Sequence, residues 1–115
     1  MQVFTQERPW GSFRQYAEGE PVTVKTIFIR AGGSLSLQTH RKRSEFWRVL
    51  RGTPQITVGQ QVVAAKPGDE FEIGIGVEHR ASAPDGEAEF LEVSRGEFDE
   101  NDIMRLEDKY GRVST

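Results

Sequence analysis

Two histidines, a glutamine and a glutamate have the side-chain types and the spacing of a metal site. His40 and His79 are the two histidines of the chain, Gln38 precedes His40 by two residues, and Glu45 follows it by five. Together they offer an amide oxygen, a carboxylate oxygen and two imidazole nitrogens, a donor set that suits Zn, Mn, Fe, Co or Ni. Four protein ligands also leave positions open for substrate oxygens, as catalytic metal sites do.

A β-strand would bring the first ligands to one surface. Side chains two residues apart on a strand point to the same side, so Ser36, Gln38 and His40 should share a face. A turn over 41–44 can then return Glu45 to the same interior from the next strand. Taken singly, each of these residues is more often a packed or solvated polar group than a ligand. Their combination, with glycines at matching intervals, favours a metal centre.

The middle of the chain is divided by glycines into short runs rich in Val, Ile, Phe and Thr. Such runs, with turn signals between them, predict a sandwich or barrel of short strands. Two segments read as turns, 58–61 and 66–69, and the second carries the Pro-Gly pair of a type II turn. The predicted strands cover 22–30, 45–50, 55–58, 61–65, 70–73 and 88–93.

The C-terminal segment has a different pattern from the rest of the chain. Apolar residues at i, i+3 and i+7, a polar residue suited to cap the start, and a glycine beyond the end predict a short helix over 99–110. We expect this helix to pack on the barrel. The stripe is Ile103, Leu106 and Tyr110, the cap is Asp99 or Asn101, and the glycine is Gly111.

Length and composition limit the classes of protein to consider. A chain of 115 residues predicts a single domain spanning 1–115, and the absence of cysteine excludes disulfides and thiolate metal ligands. A net charge of −3 with mixed signs gives no basic footprint, so no nucleic-acid partner is expected. Apolar stretches are too short to cross a bilayer, and 1–11 has no leader pattern. These features predict a cytoplasmic protein with no membrane partner.

Two segments resemble the motifs of the cupin family. The first has glutamine where the family motif has its first histidine, and it comprises Gly32, Gln38, His40, Glu45 and Gly52. The second comprises Gly68, Gly74, Gly76 and His79, and departs from the family pattern at Gly74, where proline is usual, and at Ala83, where asparagine is usual. The resemblance implies an all-β cupin fold, a double-stranded β-helix or jelly-roll barrel, holding one divalent metal (Zn, Mn, Co, Fe or Ni). The implied metal ligands are Gln38, His40, Glu45 and His79.

The resemblance becomes narrower over almost the whole chain. Segments in the right order are similar to the type II phosphomannose isomerase domain, which is usually the C-terminal part of bifunctional mannose-1-phosphate guanylyltransferases. These segments are 8–11, 35–38, 43–47, 51–53, 79–80, 91–93 and 102–112. Nothing resembles the Gly-rich phosphate loop of the nucleotidyltransferase half. We therefore expect a stand-alone isomerase domain without nucleotide transfer.

The implied activity is the interconversion of mannose 6-phosphate and fructose 6-phosphate through a cis-enediol, with a sugar phosphate as substrate. Two alternatives stay open: another metal-dependent cupin enzyme, such as a dioxygenase or sugar epimerase, and a non-catalytic cupin that binds sugar phosphates. A small barrel has open strand edges that a second copy commonly covers. The resemblance also implies a homodimer.

Further side chains are candidates for catalysis and substrate binding. Alternation along its strand would put Glu92 on the face opposite its apolar neighbours, where a cavity carboxylate could act as general base. Arg80 is the second catalytic candidate, and with Lys25 and Arg43 it is expected to bind the phosphate, because guanidinium and ammonium groups pair with phosphate oxygens. Ser36, on the ligand face, is the remaining candidate for substrate binding.

Overall fold

Residues 3–114 are described by a computed structural model, and they form strands and turns throughout. The predicted all-β class is confirmed. None of these residues lies in a helix, so no helix among them could span a membrane. The strands are β1 (Phe4–Arg8), β2 (Gly11–Gln15), β3 (Val22–Ile29), β4 (Leu37–Thr39), β5 (Arg43–Arg51), β6 (Gln55–Val58), β7 (Gln61–Ala64), β8 (Glu70–Ile73), β9 (His79–Ser82), β10 (Ala88–Gly96) and β11 (Met104–Glu107).

Two antiparallel sheets face each other across one core. The four-stranded sheet has the order β3-β10-β5-β8, and the five-stranded sheet has the order β11-β4-β9-β6-β7. Apolar side chains from both sheets form one buried cluster, which places the core between them. The members contributed by strands are Ile29, Trp47, Val49, Ile56, Ile73, Ala81, Ala88 and Phe90.

Both predicted turns are present where glycine permits a left-handed backbone. Gly59 (φ 60°) joins β6 to β7, and the register pairs Val58 with Gln61. Gly68 (φ 92°) occupies the third position of the second turn, which closes with a 3.0 Å hydrogen bond from the amide of Asp69 to the carbonyl of Lys66. A positive φ at that position is what a type II turn requires, so glycine avoids the strain that other residues would meet there.

Gly52 allows the end of β5 to pass close to the start of β10. Its φ is 80°, and a methyl group added there would lie 2.4 Å from the carbonyl oxygen of Glu87 and 2.8 Å from the Cα of Ala88. Backbone atoms cannot yield to such a contact as a flexible side chain can. Packing therefore requires glycine at this position, which is the last of the first motif.

An N-terminal hairpin of β1 and β2 lies outside the two sheets. Its turn carries Trp10, which is 73% exposed. Arg14 of β2 fastens the hairpin to the outer face of the four-stranded sheet, because its Nε lies 2.8 Å from Oε2 of Glu70. Arg48 contacts the same carboxylate, with Nη1 at 2.6 Å. The sequence motifs did not predict these two strands.

The predicted C-terminal helix is wrong. The segment instead forms β11, which pairs antiparallel with β4 at the edge of the five-stranded sheet. Two of the three apolar residues that suggested a helix are exposed, Leu106 by 37% and Tyr110 by 57%. Gly111 does adopt a positive φ of 82°, but in a turn, where its amide lies 3.2 Å from the carbonyl of Asp108. Pairing with β4 thus outweighs the local helical pattern.

Candidate metal centre

Three of the four predicted ligands meet between the sheets. His40 follows β4, Glu45 lies on β5 and His79 begins β9, so both sheets contribute. All three side chains are at least 97% buried, and one ligand atom of each lies within 4.8 Å of the others. Nε2 of His40 is 3.4 Å from Oε2 of Glu45, and Nε2 of His79 is 3.4 Å from Oε1. The carboxylate thus lies between two imidazoles.

Backbone carbonyl groups orient both imidazole rings. Nδ1 of His40 lies 2.7 Å from the carbonyl oxygen of Asp102, and Nδ1 of His79 lies 2.9 Å from that of Val77. A carbonyl oxygen only accepts, so Nδ1 carries the proton in each ring and donates it. In the neutral rings the Nε2 lone pairs then point toward Glu45. Metal-bound histidines are held in this way, with the second nitrogen fixing the tautomer.

A divalent cation fits this arrangement. Nε2 of His79 and Oε1 of Glu45 are buried, and neither has a hydrogen-bond partner within residues 3–114. Both atoms are acceptors when the histidine is neutral, and burying acceptors face to face without a proton or cation between them is costly. A metal bound by these atoms would remove that cost. Burial also lowers the pKa of His40, which favours the neutral, ligating form of that ring.

Gln38 lies next to these three residues. In the register it is opposite His79 across β4 and β9, so the two side chains share the inner face, and Gln38 lines the same cavity as His40 and Glu45. Its Oε1 accepts a 3.1 Å hydrogen bond from the hydroxyl of Ser36. Ser36 is 2% exposed and does not line the cavity, so its contact in this structure is with the candidate ligand.

Glu92 faces the same cavity, which has a volume of about 220 Å³. In the four-stranded sheet it is opposite Lys25 on one side and Trp47 on the other, all on the inner face. Burial raises the pKa of the Glu92 carboxyl to about 8, and the nearby Glu45 carboxylate adds to the rise. Burial also opposes ionisation of Glu45, but contact with His79 and Glu92 outweighs it and holds the pKa of Glu45 below its usual range. The pair therefore separates into an ionised ligand and a neighbour whose pKa of about 8 lets it both release and accept a proton near neutral pH.

Arg43 lies beside the candidate ligands, and each of its three guanidinium nitrogens contacts a neighbouring group. Its Nε lies 3.2 Å from Oε2 of Glu45, its Nη2 lies 3.3 Å from Nε2 of His40, and its Nη1 donates to the carbonyl of Asp99 at 3.0 Å. The guanidinium carbon also lies 4.5 Å from the centre of the Phe98 ring. Lys25, the other predicted cation at the cavity, lies 4.4 Å from the same ring centre.

The structure does not bring Arg80 to this cavity. Successive side chains on a strand point to opposite faces, and His79 takes the inner face of β9, so Arg80 takes the outer one. There its Nη1 lies 3.0 Å from Oε1 of Glu107. From this outer face Arg80 cannot reach a substrate in the cavity beside Lys25 and Arg43, so the expectation that it acts there is wrong.

Arg105 is a cavity residue that the sequence did not single out. It lies on β11 opposite Gln38 and lines the cavity with Lys25 and Arg43. Its position depends on the pairing of β11 with β4, which the predicted helix excluded. The available signal was its place in a segment, 102–112, that resembles the isomerase domain.

Known proteins resemble this chain over most of its length. Residues 2–108 match the family described as Mannose-6-phosphate isomerase C-terminal. The chain is 39% identical over 108 residues to the xanthan biosynthesis protein XanB of Xanthomonas campestris, covering 92% of this chain and 23% of that protein. It is 35% identical over 108 residues to the mannose-1-phosphate guanylyltransferase ManC of Salmonella typhimurium, covering 92% of this chain and 22% of that protein. The chain thus spans less than a quarter of the length of these relatives.

Solved structures show the fold. A cupin-2 domain from Rhodospirillum rubrum superposes with a TM-score of 0.65 at 21% identity, covering 88% of this chain and 77% of that one. This likeness confirms the predicted cupin fold, with the C-terminal helix as the exception. The match over residues 2–108 narrows the assignment from the cupin fold to one family. The chain belongs to the mannose-6-phosphate isomerase C-terminal family, whose cupin domain forms the C-terminal part of bifunctional proteins such as XanB and ManC.

Proposed function

We propose that this domain is a metal-dependent aldose–ketose isomerase that interconverts mannose 6-phosphate and fructose 6-phosphate. The observation that carries the proposal is the buried group of His40, Glu45 and His79, whose candidate ligand atoms lie within 4.8 Å of one another beside an open cavity. Membership of the isomerase family supports the choice of reaction and of substrate. Gln38 would complete the ligand set.

The reaction moves one proton between neighbouring carbon atoms. A base removes the proton from C2 of the open-chain aldose, and the electron pair forms the C1–C2 double bond of a cis-enediol. The proton is then delivered to C1, while the hydroxyl proton on O2 passes to O1, so the sugar is neither oxidised nor reduced overall. A divalent cation bound at the site supplies Lewis-acid stabilisation of the negative charge on the two oxygens.

Glu92 is our candidate for the group that carries the proton. Its carboxyl is 94% buried and lines the same cavity as the ligands, so it is held close to a substrate that binds there. Lys25 and Trp47 flank it in the register of the four-stranded sheet. A positioned carboxyl group of this kind contributes about 10²–10⁴-fold to proton transfer.

A coupled isomerase assay on the purified chain tests the proposal directly. Protein stripped with a chelator is reloaded in turn with Zn, Mn, Co, Fe or Ni, and formation of fructose 6-phosphate from mannose 6-phosphate is followed. We expect turnover that depends on the metal and disappears on stripping. Turnover at the full rate in stripped protein would contradict the metal-dependent mechanism.

The same preparation separates the alternatives. Binding of sugar phosphate by the metal-loaded protein without turnover would favour a non-catalytic sugar-phosphate-binding domain. Oxygen consumption by the iron-loaded protein would favour a dioxygenase, and inversion at a sugar carbon without an aldose–ketose change would favour an epimerase.

We also propose that the protein is a homodimer. β3 is an edge strand of the four-stranded sheet, with Val24 58% exposed and Phe28 46% exposed on its outer side. An edge strand with exposed apolar side chains favours pairing with a second chain. Light scattering after size-exclusion chromatography tests this, and a mass equal to one chain at micromolar concentration would contradict it.

A further inference from the structure

Arg105 shares a continuous row of inward-facing side chains with the candidate ligands. In the five-stranded sheet, Arg105 is opposite Gln38, and Gln38 is opposite His79. Residues directly opposite each other in antiparallel strands project to the same face. The row therefore runs across β11, β4 and β9 on the inner face. Two of its members, Arg105 and Gln38, line the cavity, and Arg105 lies at the β11 end of the row.

The side chain of Arg105 is not engaged by the protein. Its Nε is buried without a hydrogen-bond partner, and within residues 3–114 its side chain forms neither an ion pair nor a hydrogen bond. A buried guanidinium nitrogen without an acceptor is costly. A ligand that brings acceptor oxygens into the cavity would remove this cost.

The other two cations at the cavity are engaged differently. Arg43 donates to Glu45 and to the Asp99 carbonyl, so its guanidinium is occupied. Lys25, on the opposite sheet, has an ion pair of only 3.9 Å with Glu100, whose side chain is 81% exposed. Such a pair contributes little in water. Within residues 3–114, Arg105 and Lys25 are thus the cations at the cavity that lack a close carboxylate partner, and they lie on its two opposite walls.

We propose that Arg105, assisted by Lys25, forms the anion subsite that receives the phosphate group of the substrate. This inference rests on the proposed function, which supplies a phosphorylated sugar as the ligand. The guanidinium presents two parallel N–H donors to two phosphate oxygens, a geometry that lysine cannot reproduce. The sugar would then extend from this rim toward Glu92 and the candidate ligands.

The test compares Arg105→Gln with Arg80→Gln, a matched arginine on the outer face of the same sheet. Calorimetry measures the binding of inorganic phosphate, fructose 6-phosphate and fructose to each metal-loaded protein. Charge-assisted hydrogen bonds contribute about 1.5–3 kcal/mol, so we expect Arg105→Gln to weaken both phosphate ligands by about 10–100-fold. Arg80→Gln should change them by less than twofold. Arg105→Lys should fall between wild type and Arg105→Gln.

Two binding results would contradict the proposed anion subsite. One is an equal loss of affinity for fructose and for fructose 6-phosphate in Arg105→Gln. Another is a wild-type protein that binds neither phosphate ligand. Circular dichroism and the metal stoichiometry of each variant establish that the fold and the metal centre are intact, and Arg105→Lys supplies a second measurement if the glutamine variant misfolds.

The same data separate this inference from the proposed isomerase. Phosphate binding that depends on Arg105 in a protein without turnover would support the subsite and reject the isomerase. Turnover with an unchanged kcat/KM in Arg105→Gln would reject the subsite and leave the isomerase standing.

Discussion

The two faces of the five-stranded sheet differ in whether their arginines have a partner. Arg80 follows His79 in sequence, yet it lies on the outer face, where Glu107 pairs with it at 3.0 Å. Arg105 is remote from His79 in sequence, yet the register places both on the inner face, where the buried Nε of Arg105 has no partner within residues 3–114.

The same contrast extends to other polar groups that lie between the two sheets. Oε1 of Glu45 and Nε2 of His79 are also buried without hydrogen bonds among the described residues. Most buried polar atoms in proteins are satisfied, so several unsatisfied ones around one cavity need an explanation. On the outer face of the five-stranded sheet, Arg80 has its partner in Glu107. On the inner side, a bound cation and an anionic ligand would supply partners for Glu45, His79 and Arg105.

The largest effect should come from the carboxyl that faces the cavity. Glu92→Gln keeps the shape of the side chain but removes its capacity to carry a proton, so kcat should fall by about 10²–10⁴-fold while metal binding persists. The control is Glu89→Gln on the same strand, where Glu89 pairs with Arg51 on the outer face. The coupled assay and a metal titration measure both. Comparable rates for Glu92→Gln and Glu89→Gln would remove Glu92 from the mechanism.

The next effect concerns the ligand between the two imidazoles. Glu45→Gln loses the anionic donor, so affinity for Zn²⁺ or Mn²⁺ should fall by more than about 100-fold, since changes outside the ligand shell alone cost 10–100-fold. Metal at a hundredfold excess over Kd should stabilise the wild-type fold by about 2.7 kcal/mol, and the variant should lose that protection. Calorimetry and thermal unfolding measure these changes. Glu107→Gln, on the outer face, should match wild type in metal affinity and in stabilisation by metal. A Glu45→Gln protein that also matched wild type in both measurements would contradict the difference between the two faces.

A smaller effect is expected on the outer face of the four-stranded sheet. Hydrogen bonds from Arg14, and then Arg48, outweigh burial and hold the pKa of Glu70 below 4.5. A lowered carboxyl pKa stabilises the fold above the unfolded-state pKa, and the stabilisation is lost as pH falls through the folded-state value. The unfolding free energies of wild type and Glu70→Gln, measured in urea, should therefore differ by at most about 1 kcal/mol at pH 7 and should converge as pH falls through the folded-state pKa of Glu70. A difference that grows with acid would contradict the ion-pair account.

The smallest effect should come from the outer arginine. Arg80→Gln breaks an exposed pair with Glu107, and such pairs contribute about 0.2–1 kcal/mol to stability. The free energy of unfolding, measured from denaturation curves, should therefore change by no more than about 1 kcal/mol. The value of kcat/KM should stay within twofold of wild type. A tenfold loss of activity would return Arg80 to the site and refute the division between inner and outer faces.

Local patterns were sufficient to predict the central strands and the candidate ligands. The runs 55–58 and 70–73 coincide with β6 and β8, because alternating apolar residues and glycine turns encode them locally. The pair Gln38 and His40 could be assigned to one face for the same reason. Strand alternation also places Arg80 on the face opposite His79, so its neighbouring position in the sequence does not bring it to the ligands.

Other features depend on contacts between distant parts of the chain. The stripe ending at Tyr110 matches a helix, but β11 forms because the edge of β4 offers backbone hydrogen bonds. That pairing alone brings Arg105 to the cavity. The carbonyl of Asp102, which orients His40, comes from the same distal segment. No short window of sequence contains these relations.

Gly52 bears on how members of such a family are detected. The glycine that closes the first motif is required by the close approach of two main chains, where an added methyl would lie 2.4 Å from an oxygen. This steric requirement for glycine does not depend on metal binding. A sequence search that weights this glycine heavily will therefore retrieve catalytic and non-catalytic family members alike. The residues that supply the metal-donor atoms, scored separately, can distinguish the two groups.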